Sequence, residues 1–134
     1  MTPASKLQAA APIVLRLALS AVFAWFGTSQ LISSAMWVNL VPTWATSVFN
    51  MSAITIVHAN GAFEIVASLL LSTGVYVRWV ALLLSLHLFV ITSHLGLSPI
   101  GVRDFGLSFA TLAVALYGSD AWSTYPSDEV QVAS

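Results

Sequence analysis

The chain of 134 residues contains no cysteine. That absence removes disulfides, thiol catalysis, thiolate metal sites and cysteine-held iron–sulfur clusters together. Charge is scarce too. Only 7% of the residues are Asp, Glu, Lys or Arg, against about 25% in an ordinary soluble domain. There is no basic stripe and no run of like charges, and the formal net charge is −1, so nucleic acid is not an expected partner. Also missing are a Gly-rich phosphate loop, a Ser/His/Asp order, a low-complexity tract and a convincing internal repeat.

Apolar side chains take up the space. They make up 58% of the chain, and the mean hydropathy is +0.91. So few charges cannot coat a folded surface with polar groups, and the simplest solvent for such a surface is lipid. The length allows one domain. After a small, polar lead over residues 1–12, four apolar segments follow, at about Ile13–Leu31, Ile54–Thr73, Trp79–Leu97 and Phe105–Trp122. Each is close to the ~20 residues that an α-helix needs to cross a bilayer. The expectation is an all-α integral membrane protein: a four-transmembrane-helix bundle over 13–122, with a polar C-terminal tail over 123–134. A competing reading of the first segment, a signal peptide cut after Ala24, is opposed by the apolar stretch that continues past that site.

Basic residues suggest an orientation. Lys6 and Arg16 precede the first helix, and Arg78 lies in the turn between the second and third. With four crossings these three share one side, and only Arg103 falls on the other. Both termini are therefore expected inside. The first outer loop, Ile32–Ala53, holds Trp37, Val41, Trp44 and Val48 at spacings of four, three and four, which is one helical face. Pro42 suits the first turn of a helix. A short interfacial helix with its tryptophans at headgroup level fits this pattern. An ordered loop with two anchoring tryptophans fits it equally. Trp79 and Trp122 would belong to the inner belt.

One charge stands out. Glu64 is the only formal charge between Arg16 and Arg78, and it lies in the middle of the second apolar segment. At 1.5 Å of rise per residue, depth can be counted. Glu64 and His87 fall near the midplane, while His58, Asn60 and His94 fall in the outer third. Thr28, Ser29 and Gln30 end the first helix outside, and Arg103 and Asp104 begin the fourth. The strongly polar residues thus collect in the outer half, and the inner half is expected to be dry apart from hydroxyls such as Ser68 and Ser72. Asn60 and Glu64 are four apart and share a face, as do His87 and His94 at seven. His58 is off the Glu64 face by about a third of a turn. A polar face turned to lipid is costly, so these faces should turn inward. The result is an outward-opening polar pocket between the second, third and fourth helices, which Gln30 closes from the first. Burial raises the pKa of a carboxyl and lowers that of a histidine, so a Glu64–His87 pair can share one proton.

Each residue also has a plainer use. Glu64 is either a functional intramembrane acid or a strut that pins the bundle. His87 and His94 are either pocket groups or satisfied core histidines. Their separation of about 10.5 Å prevents them from holding one metal or one haem iron together. A metal site built from His58, Glu64 and His87 is a rival use of those side chains. Arg103 is either a lid or anion contact or part of a simple helix start, with Asp104 meeting the helix dipole. Gly27, Gly61 and Gly106 read as close-packing points between helices.

The segments "LRLALSAVFAWFGTSQL", "NGAFEIVASLLLSTGVYVRWVALLL" and "VRDFGLSFATLAVAL", with a Trp- and Pro-containing loop after the first, resemble the DoxX family of small four-helix bacterial and archaeal membrane proteins. The likeness runs from about Leu15 to Leu116. It rests on Gly61, Glu64, Gly74 and Arg78 and on Arg103, Asp104, Gly106 and Leu107. The family is named for membrane components linked to sulfur oxidation and quinone reduction, and other members look like membrane partners in redox and oxidative-stress assemblies. The resemblance implies Glu64, Arg103 and Asp104 as pocket residues in a cytoplasmic membrane. Where many members carry Lys after the first-helix glycine, this chain has Gln30, which weakens the case for a charged quinone or an anion there.

Two functions follow. In one, the chain is a quinone-linked subunit of a redox assembly. Glu64 and His87 handle the proton. Gln30, Asn60, His58, His94, Arg103 and Asp104 surround the headgroup, and a partner brings electrons. No haem, iron–sulfur or flavin site is expected. In the other, the chain is a non-catalytic accessory subunit that packs against a larger membrane complex and stabilises it. Whether chemistry occurs in the chain itself stays open at this point.

Overall fold

Caps and turns decide where the apolar runs become helices. The computed structural model describes residues 2–124 and contains five α-helices: α1 Pro3–Ile32, α2 Thr43–Phe49, α3 Ala53–Thr73, α4 Val77–Leu95 and α5 Pro99–Tyr117. Helices α1, α3, α4 and α5 are each long and apolar enough to cross a membrane. The chain is an all-α membrane four-helix bundle. The expected tail from residue 125 onward lies outside the described residues.

Three helix starts carry a hydroxyl cap. Thr2, Ser52 and Ser98 accept from the backbone N–H groups of Ser5, Thr55 and Gly101, each satisfying one donor that has no partner inside the helix. Thr2 starts α1 well before its apolar run opens at Ile13. Ser98 and Pro99 start α5 ahead of Phe105. Asp104 therefore lies beyond the first turn of α5 and is not a partner for its dipole, contrary to the helix-start reading. Trp122 lies past the end of α5.

Between α1 and α3 the chain makes two 3₁₀ turns, Ser34–Met36 and Val38–Leu40, before α2 begins with Pro42 as its N-cap. The change of helix type breaks the register, so Trp37 and Trp44 do not share one helical face. Trp37 packs edge-on to Phe26, with ring centroids 5.7 Å apart, and donates to Ser29 Oγ at 3.1 Å.

The long helices pack as two pairs, α1 with α3 and α4 with α5. At the crossing of α1 and α3, a Cβ on Gly27 would lie 2.7 Å from the Gly61 carbonyl oxygen, and one on Gly61 would lie 2.8 Å from that of Gly27. Only glycine at both places allows this approach. Gly106 is different: a Cβ there meets nothing within 4 Å, so it is not a packing point within this chain. The two pairs join through Leu19, Phe23, Leu71, Val77, Ala81, Leu84, Val114 and Ala115. These residues lie toward the end of the bundle that holds the termini and the α3–α4 turn. Lipid tails are as apolar as these side chains, so shape fit rather than exclusion from water holds this core together.

That end is not dry. Arg16 is 1% exposed, and each of its three guanidinium nitrogens donates a hydrogen bond. Nε donates to Asp120 Oδ2 at 2.6 Å and Nη2 to Oδ1 at 3.0 Å, while Nη1 donates to the carbonyls of Leu71 and Ser72 at 2.6 and 2.7 Å. The last carbonyls of a helix have no partner within it, and here Arg16 caps α3 from α1. Thr124 adds bonds to the carbonyl of Thr73 through its N–H and its hydroxyl. Gly74, at φ +77°, ends α3 and leaves room for the backbone of Ser123. Arg16 is thus a buried strut near the middle of α1, and Lys6 also lies within that helix, contrary to the expectation that both precede it.

Candidate functional site

Away from that core, toward the end that carries α2, the space between the helix pairs opens into a cavity of about 720 Å³. Its walls are mostly apolar, contributed by all four long helices and by Trp37, Trp44 and Phe49 of the connecting segment. Gln30, Asn60, Glu64, His87, His94, Arg103 and Asp104 also line it.

Three of these form a directed network. Asn60 Nδ2 donates to Gln30 Oε1 at 2.7 Å and to Glu64 Oε1 at 3.2 Å. Gln30 Nε2 donates to Glu64 Oε2 at 2.8 Å. Gln30 and Glu64 are 4% and 3% exposed, deep enough that an unmade hydrogen bond would cost about 1–3 kcal/mol. Gln30 reaches Glu64 by crossing Gly61, where a Cβ would lie 3.0 Å from the Gln30 Cβ.

His87 approaches the same carboxyl from α4. Its Nε2 is 3.6 Å from Glu64 Oε1, beyond hydrogen-bond reach, and this buried atom has no partner. The ring is held edge-on by Phe63, with centroids 5.2 Å apart. Glu64 thus receives two amide donors on one side and faces the His87 imidazole across a short gap on the other. A small shift of the His87 ring would let the pair share a proton, or let a ligand atom bridge them.

Arg103 and Asp104 form a local pair on α5, with Nε and Nη2 both 2.8 Å from Asp104 Oδ1. The Arg103 guanidinium lies 4.6 Å from the centre of the Phe26 ring and so spans from α5 to α1 across the cavity mouth. His94 is exposed at the rim. His58 is exposed and does not line the cavity. Its offset from the Glu64 face turns it away from the other polar groups. Among the described residues, no three His, Asp or Glu side chains are placed to hold a metal ion.

The structure therefore joins Gln30, Asn60, Glu64 and His87, sets Arg103, Asp104 and His94 around them, and leaves His58 out. The Arg16–Asp120 pair at the opposite end was missed by the sequence reading. Its members are separated by 104 positions, and no local pattern links them.

The model of the DoxX family matches residues 11–96. The match includes Gln30, Asn60, Glu64 and His87 and stops before Arg103 and Asp104. No curated protein and no solved structure matches the chain. The family match covers well over half of the sequence, and the chain belongs to the DoxX family.

Proposed function

We propose that this protein is the quinone-binding membrane subunit of a redox assembly, with both termini on the inner side of a bacterial or archaeal cytoplasmic membrane. The observation that carries this reading is the unpartnered Nε2 of His87, which faces the Glu64 carboxyl in a cavity with apolar walls. Ligand pockets of roughly 300–1,000 Å³ with apolar walls and a few convergent polar groups are typical small-molecule sites. A quinone ring is flat and apolar on its faces, and its two carbonyl oxygens need hydrogen-bond donors. His87, as the Nε2–H tautomer, donates to one of them. Reduction of a quinone takes two electrons and two protons. The Glu64–His87 pair passes these protons on one at a time, each replaced from the aqueous phase, and a partner protein supplies the electrons. Arg103, at the mouth, holds α1 and α5 together around the headgroup.

Quinones quench tryptophan emission, and Trp37 and Trp44 line the cavity. The full chain in lipid nanodiscs is titrated with a quinone and the quenching followed. Saturable quenching is expected for the wild type. Glu64→Gln and His87→Leu are expected to weaken it by at least about tenfold, or 1.4 kcal/mol, in proteins that thermal unfolding shows to be still folded. Equal saturation in all three proteins would contradict the assignment. A set of co-purifying larger subunits with no quinone binding would favour the accessory role, with Glu64 as a buried strut.

A further inference from the structure

Several walls of the cavity are also outer surface. Ala59 and Phe63 of α3, and Leu83, Leu86 and Val90 of α4, line the cavity and are exposed on the bundle. A side chain does both only where the wall beside it is open. Near the turn, α3 and α4 are held together by Leu71, Val77, Ala81 and Leu84. Along the rest of their length they pack far less closely than α1 with α3 or α4 with α5. Residues 83, 86 and 90 are spaced by three and four, which puts them on one face of α4, in a stripe about 10 Å long. His87 lies within that stripe. The polar end of the cavity therefore meets a slot with two apolar lips, both on helices that contact the bilayer.

We propose that the slot between α3 and α4 is a lateral portal, and that the ligand is a membrane-dissolved amphiphile with a flat polar head and a long apolar tail. The head docks at Glu64 and His87, and the tail lies in the slot and runs out into the acyl chains. This rests on the headgroup assignment made above and adds the tail, its path and the direction of entry. The other face of the cavity suits a water-borne ligand poorly. Val41, Pro42, Trp44, Ala45 and Phe49 cover it with apolar surface, and Arg103 stacked on Phe26 crosses it. A tail that moves from bilayer to slot exchanges one apolar surface for another, so it is selected by shape and by the room between the lips.

Filling the slot tests this. Ala59→Trp adds an indole to one lip, and Val90→Trp adds one to the other. Both positions are exposed on the bundle, so neither change buries a large group in a packed core. The wild type and both variants, as full chains in nanodiscs, are titrated with a benzoquinone carrying a decyl tail and with the same headgroup carrying only a methyl. The ratio of wild-type to variant affinity cancels each ligand's partition into lipid. The expected result is a loss of at least about tenfold, or 1.4 kcal/mol, for the tailed quinone in either variant, with the methyl analogue bound as in wild type. Equal effects on the two ligands, large or small, overturn the portal while leaving the headgroup site standing. If neither ligand binds the wild type, the headgroup assignment fails and the portal fails with it.

Discussion

Gly27 and Gly61 meet where α1 crosses α3, each lying where the other's side chain would have to go. That contact does more than pack two helices. The bare flank of Gly61 is the path by which Gln30 of α1 reaches Glu64 of α3. A packing feature thus sets the geometry of the candidate site.

Gly61→Ala is expected to destabilise the bundle by about 1–3 kcal/mol, the usual cost of overpacking a tight contact, and to weaken ligand binding by displacing Gln30. Gly106→Ala is the internal comparison. Its added methyl meets nothing, so alanine's better helix propensity predicts unchanged or slightly raised stability, by up to about 1 kcal/mol. Thermal unfolding of both variants in mild detergent checks the contrast.

Gln30→Leu is expected to cost about 1–3 kcal/mol, because it strips one donor from the buried Glu64 carboxyl and the acceptor from Asn60. Gln30→Lys is expected to do less harm, since an ammonium at that position pairs with the carboxylate. Chemical denaturation of the two variants side by side gives the comparison. Lysine as damaging as leucine would contradict the geometry.

The Arg16–Asp120 pair makes a prediction about acid. Burial pushes the Asp120 carboxyl up, but hydrogen bonds from Arg16 and the Trp122 N–H, together with the guanidinium charge, outweigh it and hold the carboxyl below its ordinary value. A carboxyl lowered in the folded state adds stability that is present above its unfolded pKa of about 3.9 and lost as pH falls through the folded value. The wild type should therefore lose stability as pH drops below about 4, and the Asp120→Asn variant should lack that component. At neutral pH, Asp120→Asn leaves Arg16 buried without its counter-charge, at an expected cost of about 3–5 kcal/mol. Melting curves across pH, on both proteins, read out each effect.

Arg103 is more than a third exposed, so its pairing with Asp104 contributes little to stability. Arg103→Gln is expected to change the melting temperature only slightly. It should speed ligand exchange, because the link from α5 to Phe26 across the cavity mouth is gone. Stopped-flow release of bound quinone measures this directly.

The parts legible in the sequence were those with a local period. Runs of bilayer length marked four membrane helices, and counting depth along them placed Glu64 and His87 near the midplane and Asn60 and Gln30 in the outer half above them. The same count placed Arg103 and Asp104 in the outer half, the family likeness pointed to them as well, and the structure sets them at the same cavity. What stayed hidden had no local signature. Arg16 looked like a flanking charge because its partner lies near the other end of the chain. The start of α5 was obscured because Ser98 and Pro99, a cap and a first-turn residue, precede the apolar run rather than sit in it. Trp37 and Trp44 matched a helical spacing by count, yet two 3₁₀ turns between α1 and α2 shift the register. His58 is the opposite case: its offset of about a third of a turn from the Glu64 face was legible, and the structure shows that this offset is enough to keep it out of the cavity.

The most direct measurement is native mass spectrometry of the full chain released in mild detergent from its own membrane. The account predicts a bound species of quinone mass on the wild type and its loss from a Glu64→Gln variant that is still folded. A wild-type protein with no such species, or a Glu64→Gln variant that retains it, would contradict the central claim.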